Sequence, residues 1–403
     1  MKYLPLTAVL VATAARADGF IITTPDGSTL KVGGFTQFDG RFFAGDTTPT
    51  QIDQFAFRSI RPDLQGTVFD HYDFRLMPDF AGGKLVVQDA YIDVRYLDEL
   101  KLRFGKFKVP FGIERLQAEY ATAFVERGLP SQLVPNRDLG VEVFGDLDKG
   151  TLAYQVGVFN GVADGQSGDG DTSNDKELAA RVLVRPFAHG CPIVKQLAFG
   201  VAATAGDKAG TIAQPDVPQW KTQGQSTILA FKTGTTLMDT VVADGLQLRS
   251  SAQGYWYFGP FGVLGEYVHS SEKLVLNGTH IDAHADAWQA VGQWVVTGDA
   301  ATYNSVVPKQ PFDPRNGQWG AVDLVARIGE LRLTDGAVMS TGYADPSKSA
   351  RRVWSVGIGV DWFANKTFRF VLDAERTWFR LGAATMLDRV PETSIVGRVQ
   401  TVF

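Results

Sequence analysis

The chain has 403 residues, with 39 lysine and arginine side chains against 44 aspartate and glutamate side chains, 43 glycines and one cysteine. Hydrophobic residues make up 44% of it, which excludes a disordered chain, and no apolar run beyond the N-terminus is long enough for a spanning helix. A single cysteine excludes an intramolecular disulfide, and the net negative charge argues against a nucleic-acid partner. We expect no cofactor and no metal centre.

The first 17 residues have the pattern of a secretory signal peptide. Lys2 precedes an apolar stretch over residues 4–15, and Ala15-Arg16-Ala17 supplies a cleavage site of small residues. The mature chain is then expected to begin at Asp18 and to form one domain over residues 18–403. Removal of Lys2 and Arg16 would leave 37 basic against 44 acidic side chains.

From residue 28 onward, apolar and polar side chains alternate in runs of about 8 to 12 residues, the length that a tilted strand needs to cross a bilayer. The clearest run covers residues 86–97, where Ile92 and Val94 fall on one face and Asp89 and Asp93 fall on the other. Similar runs cover residues 139–146, 180–185 and 354–362. Each predicted strand therefore has one apolar face and one polar face.

The alternation stops after Phe104, where Pro110 and Gly112 mark the exit from a regular strand. Residues 109–138 form a long connection whose apolar members predict packing against a surface. We interpret this connection as a loop that folds inward and narrows a channel, with Lys106, Lys108, Arg115 and Arg127 as its basic candidates. The alternative is a folded extracellular cap in which Glu114 and Arg115 form ion pairs.

Residues 164–175 carry several aspartates at short spacing, which raises the possibility of a calcium loop. The glutamate that a calcium loop places downstream is out of register here, because Glu177 does not fall at that position. A solvated outer loop is the favoured interpretation.

Alternation alone also fits a soluble β-sandwich, so turn lengths and aromatic residues decide between the two. Tight turns near residues 98–99, 148–150, 259–260 and 364–366 are interleaved with long connections near 161–176, 206–225, 298–318 and 334–351. Short turns at one end, long loops at the other and aromatics near strand ends are typical of an outer-membrane barrel. The last strand ends in Phe403, which resembles the C-terminal signature of such barrels. We count about 16 strands, which leaves a water-filled lumen and makes transport the expected function.

Several segments resemble the phosphate-selective porin O and P family of Gram-negative outer membranes. They include FAFRSIRPDLQGTVFDHYDFRLMPDF (55–80), QDAYIDVRY (88–96), GKFKVPFGIERLQ (105–117), FVERGLPSQLVPNRDLGVEVFGDL (124–147), GVFNGVADG (157–165), YFGPFGVLGEYV (257–268) and VVPKQPFDP (306–314). The resemblance implies an all-β, transmembrane antiparallel barrel that assembles as a homotrimer in the outer membrane. It also implies that the third extracellular loop forms a constriction lined by arginines and lysines, and that small anions such as phosphate pass through it.

The candidate lining residues come from alternation, from the long connection and from the resemblance. The family pattern often has two consecutive arginines after F-x-F, whereas Ser59 follows Arg58 here and the next arginine is Arg61. The predicted anion-selective lining comprises Arg58, Arg61, Arg75, Arg95, Lys101, Arg103, Lys106, Lys108, Arg115, Arg127, Arg181 and Arg185. The alternative is a general porin with a wide lumen, in which acidic and basic side chains pair across neighbouring strands and little selectivity results.

Other functional classes remain as alternatives. A barrel enzyme would need a nucleophile and a base within reach of each other, and the chain contains neither G-x-S-x-G nor H-E-x-x-H. We therefore expect no enzymatic activity. A structural or adhesive barrel with a closed lumen is the stronger alternative, and ion conductance would distinguish it from a porin.

Overall fold

The structure is a computed structural model that describes residues 19–45, 51–171, 173–334, 336–346, 348–381 and 389–403. The predicted signal peptide, residues 1–17, lies outside the described residues. The strands are β1 Phe20–Thr23, β2 Thr29–Phe43, β3 Gln54–Val68, β4 Tyr72–Asp79, β5 Val86–Arg95, β6 Lys101–Lys108, β7 Arg137–Leu147, β8 Leu152–Phe159, β9 Glu177–Val184, β10 Leu197–Ala209, β11 Val242–Phe258, β12 Phe261–Leu276, β13 Thr279–Val295, β14 Ala321–Leu333, β15 Ala350–Phe363, β16 Phe368–Leu381 and β17 Glu392–Val402.

Helices are short. The α-helices are α1 Ile113–Leu116 and α2 Ala337–Ser340, and single 3₁₀ turns cover Ala81–Gly83, Leu129–Gln132, Asp148–Gly150 and Pro314–Asn316. Within the described part of the chain, no helix is long and apolar enough to cross a membrane.

Strands β2 to β17 form a closed antiparallel barrel of sixteen strands. Each of them pairs with the next strand along the chain, and β17 pairs with β2 from Ser394↔Phe43 to Val402↔Phe35, which closes the sheet. The short β1 forms a hairpin with the start of β2. The prediction of an all-β antiparallel barrel with about 16 strands is therefore confirmed.

The two faces of the sheet are the reverse of those in a soluble sandwich. In β2 the phenyl rings of Phe38 and Phe42 are exposed, whereas the polar side chains of Gln37, Asp39 and Arg41 are buried. A water-soluble sheet would bury its apolar face. An exposed apolar face around an enclosed polar one is the arrangement that suits lipid outside and water inside.

The connections differ in length at the two ends of the barrel. The long-loop end carries the connections 44–53, 80–85, 109–136, 160–176, 210–241, 334–349 and 382–391. The short-turn end carries 69–71, 96–100, 148–151, 259–260 and 364–367, together with the longer connection 185–196. One prediction was wrong: the long connection over 296–320 lies at the short-turn end. The long-loop end in turn contains a two-residue turn, Asn277-Gly278, in which both residues have positive φ as a type I′ hairpin requires.

Candidate functional site

Residues 109–136, which connect β6 to β7 and are called the crossing segment below, pack inside the barrel. Their large apolar side chains are at most 1% exposed at Phe111, Ile113, Phe124, Leu129 and Leu133. Ile113 and Phe124 pack together with wall residues Leu264, Val291 and Val325. The sequence predicted this packing, and its partner is the inner face of the wall.

The crossing segment reaches strands that lie opposite its origin. Arg327 of β14, which is eight strands from β6 in either direction around the barrel, donates to the carbonyl oxygen of Glu126 at 2.8 Å. The Val125 amide donates to Asp373 of β16 at 2.6 Å, and the Ile113 amide donates to Glu266 of β12 at 2.7 Å. Wall carboxylates therefore fix the backbone of a segment that spans the interior.

The connection 296–320 also enters the barrel, from the short-turn end. The Tyr303 hydroxyl donates to the carbonyl oxygen of Ile113 at 2.5 Å, and the Gln117 amide donates to the carbonyl oxygen of Tyr303 at 2.6 Å. The Tyr303 ring stacks on Tyr255 with a centroid distance of 4.9 Å. Two connections from opposite ends thus meet in the interior and stabilise each other.

Four predicted cations on the wall strands β4 to β6 lie beside aspartates, three of them on a neighbouring strand and one in the adjacent turn. Arg75 binds Asp63 through two bonds of 2.9 and 2.8 Å, and Arg103 binds Asp93 through two bonds of 2.7 Å. The other two pairs are Arg95 with Asp73 at 2.9 Å and Lys101 with Asp98 at 3.6 Å. Because each charge has an opposite charge beside it, these four residues add little net field to the lumen.

Arg58 lies at a β-bulge in β3. Gln37 pairs with Ser59 and Phe38 pairs with Phe57, so Arg58 is the extra residue opposite this step of β2. Alternation alone would place Arg58 and Arg61 on opposite faces, but a bulge shifts the phase of one strand by one residue. Both guanidinium groups accordingly line one cavity of about 320 Å³.

Three of the predicted cations are bound by neutral oxygens. The Lys108 ammonium donates to the carbonyl oxygen of Gln117 at 2.5 Å, and Arg115 donates to that of Ser131 at 2.5 Å. Arg181 donates to the amide oxygens of Gln253 at 3.1 Å and Gln155 at 3.2 Å. Across the residues that the structure describes, none of the three has a carboxylate oxygen within 4.0 Å, and Arg115 Nε is buried without a hydrogen-bond partner. Neutral acceptors place no opposite charge beside these three groups.

Two cavities beside the crossing segment hold more cations than acids. One, of about 270 Å³, has Glu119 and Glu126 as its acids and Arg58, Arg115, Arg127, Lys221 and Arg398 as its cations. The other, of about 210 Å³, has Asp89 and Glu119 as its acids and Arg61, Arg75, Arg103, Lys108 and Arg137 as its cations. In the second cavity, aspartates just outside the lining bind Arg61, Arg75 and Arg103, so the surplus of cations belongs to the first cavity. Glu119 borders both cavities.

Glu119 of the crossing segment holds cations from three elements. Its carboxylate lies 2.7 Å from Arg61, 3.5 Å from Arg137 and 3.8 Å from Arg127. Burial alone would raise the pKa of Glu119, but these arginines outweigh burial and hold the pKa of the carboxyl well below its ordinary value. The carboxylate is thus ionised, and it fixes the arginines in place without neutralising all of them.

Two predicted lining residues lie apart from these cavities. Lys106 lies two residues after the outward-facing Phe104 in β6, and residues two apart in a strand share a face. The Lys106 ammonium contacts Asp169 of the connection 160–176. Arg185 lies beyond the end of β9 and donates to the carbonyl oxygen of Gly150 at 2.7 Å, at the short-turn end. Neither residue joins Lys108 and Arg115.

The connection 160–176 is tied to the wall by a buried arginine that sequence reasoning missed. Arg249 of β11 is fully buried and binds Asp164 at 2.6 Å and Glu177 at 2.8 Å. Asp169 contacts Lys106, and Asp171 contacts Lys176 at 2.5 Å, so protein cations occupy three of the four aspartates of the calcium-loop alternative. Within the described residues, no three His, Cys, Asp or Glu side chains are grouped so as to hold a metal ion.

Comparisons with known proteins agree with this geometry. The sequence profile of the family described as phosphate-selective porin O and P matches residues 30–377. Among curated proteins, no sequence matches the chain.

Three similar solved structures are an outer membrane channel, an anion-selective porin and an outer membrane protein, all with low sequence identity to this chain. The outer membrane channel DcaP of Acinetobacter baumannii has a TM-score of 0.61 at 11% identity, over 96% of this chain and 99% of that one. An anion-selective porin from Comamonas acidovorans has a TM-score of 0.56 at 10% identity, over 93% and 100%. The trimer form of OmpT from Vibrio cholerae has a TM-score of 0.53 at 12% identity, over 93% and 99%. At these identities the likeness establishes the fold.

Proposed function

The chain belongs to the phosphate-selective porin O and P family, an assignment that makes it an outer-membrane channel, and on that premise we propose that it conducts small anions, with phosphate or a related oxyanion preferred. The family and the fold indicate a channel rather than an enzyme.

The surplus of cations beside the crossing segment supports anion selectivity. Lys108, Arg115 and Arg181 have neutral hydrogen-bond partners, so their charge acts on a passing ion with little cancellation. In a narrow passage with a low-dielectric wall, each such charge counts for more than it would in bulk water. This observation carries the proposal.

Oxyanions gain a further advantage from the kind of donor. Arginine presents a planar fork that can donate two parallel hydrogen bonds to a pair of phosphate oxygens. Arg58 and Arg61 line one cavity despite the serine between the usual arginine positions, because of the bulge. Each also has a carboxylate beside it: Glu126 lies 3.4 Å from Arg58, and Asp79 lies 2.7 Å from Arg61. A phosphate moving along the wall could then pass from Arg58 to Arg61 and on to Lys108.

In this proposal the crossing segment is the constriction. The mature porin domain is residues 18–403, and residues 1–17 are a signal peptide that is cleaved on export. We also propose a homotrimer, because the family resemblance implies one and OmpT, a structural neighbour, is described in a trimer form. The proposed partners are small anions in the passage and lipid around the barrel.

A single measurement tests the proposal. The refolded protein is reconstituted in planar bilayers, and the reversal potential in a chloride gradient is recorded before and after phosphate is added. We expect anion-selective current that phosphate blocks, and weaker block in Arg115→Gln. Weakly selective current without block would indicate a general porin, and a barrel that conducts no ions would indicate a closed lumen.

A further inference from the structure

The outward face of β13 to β16 carries two rows of side chains near the long-loop end. The arginine row consists of Arg332, Arg352 and Arg380, which are register partners on three neighbouring strands. The tryptophan row lies two residues further into the strands and consists of Trp288, Trp354 and Trp378, with Glu330 between the first two. Both rows point outward, because they alternate with the buried inner residues Leu331, Val353 and Phe379.

Three arginines in direct cross-strand register repel one another unless anions lie between them. The protein supplies two carboxylates: Asp286 lies 3.3 Å from Arg332, and Glu330 lies 2.6 Å from Arg352. Arg380, together with Arg376 on the far side of Trp378, has no carboxylate oxygen within 4.0 Å in the described part of the chain. The patch therefore has a surplus of positive charge.

A groove of about 690 Å³ joins the two rows on the outer surface. Its polar rim is formed by Arg352, Arg380 and Arg389, and its floor includes Trp354 and Trp378, whose rings stack with a centroid distance of 4.1 Å. Below the tryptophans, Ile328, Val356 and Ile358 continue an exposed aliphatic surface. From the long-loop end inward along the strands, the lining of the groove thus changes from cationic to aromatic to aliphatic.

This gradient matches the depth profile of an outer leaflet. The loop-length rule for outer-membrane barrels assigns the long-loop end to the cell exterior. Trp354 and Trp362 lie eight residues apart on β15, about 26 Å along the strand, so the tryptophan row and the aromatics near Trp362 lie at the two edges of the apolar band. The arginine row then lies at the level of the outer headgroups.

We propose that this groove binds a phosphorylated, acylated lipid of the outer leaflet. Arg352 and Arg380 donate to its phosphate, the stacked tryptophans pack against the boundary between headgroup and acyl chains, and the aliphatic surface carries the chains. Charge complementarity selects the occupant, because a neutral lipid would leave Arg380 and the nearby Arg376 without counter-charges.

The test measures lipid binding to the purified full-length protein in detergent by native mass spectrometry, with lipid A as the probe. Three variants are compared with the wild type: Arg352→Gln with Arg380→Gln, Trp354→Ala with Trp378→Ala, and the control Arg315→Gln, an exposed arginine at the short-turn end. Lipid A stripped of its phosphates and an excess of inorganic phosphate complete the set. Channel conductance confirms that each variant is folded.

We expect the arginine double variant to weaken lipid A binding about tenfold or more, and the stripped lipid to bind the wild type comparably weakly. The tryptophan double variant should also weaken binding, and Arg315→Gln should not. Inorganic phosphate should not displace the lipid, because it lacks the acyl chains. The proposal is overturned if the arginine double variant or the stripped lipid binds as tightly as the wild-type pair, if inorganic phosphate displaces the lipid, or if a second copy covers the groove and wild type binds no lipid A.

Discussion

Arg103 on the wall and Arg115 on the crossing segment are the same residue type in the same polar interior, yet different groups bind them. Arg103 is held by both carboxylate oxygens of Asp93 at 2.7 Å, whereas Arg115 donates to the carbonyl oxygen of Ser131. A carboxylate cancels the charge that it binds, and a carbonyl oxygen orients the donor without cancelling its charge. We therefore expect the partners of these cations, rather than their position in the lumen, to decide which of them select ions.

The difference has a physical origin in the two kinds of backbone. On the wall, register brings acidic and basic side chains of adjacent strands opposite each other, as in Asp93↔Arg103, and such pairs stabilise the sheet. The crossing segment has irregular backbone whose carbonyl oxygens are not all used in a sheet, so it can offer neutral acceptors to Lys108 and Arg115. Paired cations thus hold the barrel together, while the others remain available to ions.

The largest expected effect is a loss of protein stability when an arginine with two buried carboxylate partners is removed. Arg249→Gln leaves Asp164 and Glu177 buried without their shared cation, and we expect the free energy of unfolding to fall by about 3 to 5 kcal/mol. Urea unfolding of the protein refolded in micelles measures this loss, with Arg315→Gln as the exposed control. A loss below about 1 kcal/mol would contradict a structural role.

Removing the cations that have neutral partners is expected to change phosphate block and to leave stability nearly unchanged. Lys108→Gln combined with Arg115→Gln should raise the phosphate concentration that half-blocks the chloride current by roughly tenfold to a hundredfold. The same variant should unfold at nearly the wild-type urea concentration, because no buried carboxylate loses its partner. If phosphate block stays at the wild-type level, selectivity arises elsewhere in the barrel.

The separation between cations bound by carboxylates and cations bound by neutral oxygens could be predicted only in part from the sequence. Alternation places Asp89 and Asp93 on the face opposite Ile92. The break after Phe104 locates the crossing segment, with Lys108 directly before it and Arg115 near its start. Alternation carries no information about which side chain lies across a strand pair, so it could not separate Arg103 from Arg115. Alternation also fails at a bulge, where it alone would place Arg58 and Arg61 on opposite faces.

The prediction that residues 296–320 lie at the long-loop end was wrong for a different reason. A hairpin signal in the sequence indicates the opposite end. Each strand reverses the direction of the chain, so connections alternate between the two ends. Asn277-Gly278 is a strong hairpin signal, and counting it as a turn places 296–320 at the same end as Gly259-Pro260. That Tyr303 then reaches Ile113 depends on tertiary packing, which alternation does not encode.

A smaller effect is expected when a neutral partner becomes charged without a change of shape. Gln253→Glu would set a carboxylate about 3 Å from Arg181, as on the wall, and we expect a several-fold loss of anion preference in the reversal potential. Gln318→Glu adds the same charge at the short-turn end and serves as the control. An equal loss in both variants would mean that total charge, rather than the partner of Arg181, sets the preference.

The smallest effect is expected when a whole wall pair is removed. Arg95 and Asp73 are partly exposed, at 38% and 30%, so their pair contributes little to stability. Arg95→Gln alone leaves the Asp73 carboxylate uncancelled and should lower anion preference, whereas adding Asp73→Asn should restore the wild-type reversal potential. The two single variants and the double variant form a cycle whose coupling term measures how far one charge cancels the other. If the double variant stays as weakly selective as Arg95→Gln, the wall arginines act on ions despite their carboxylate partners.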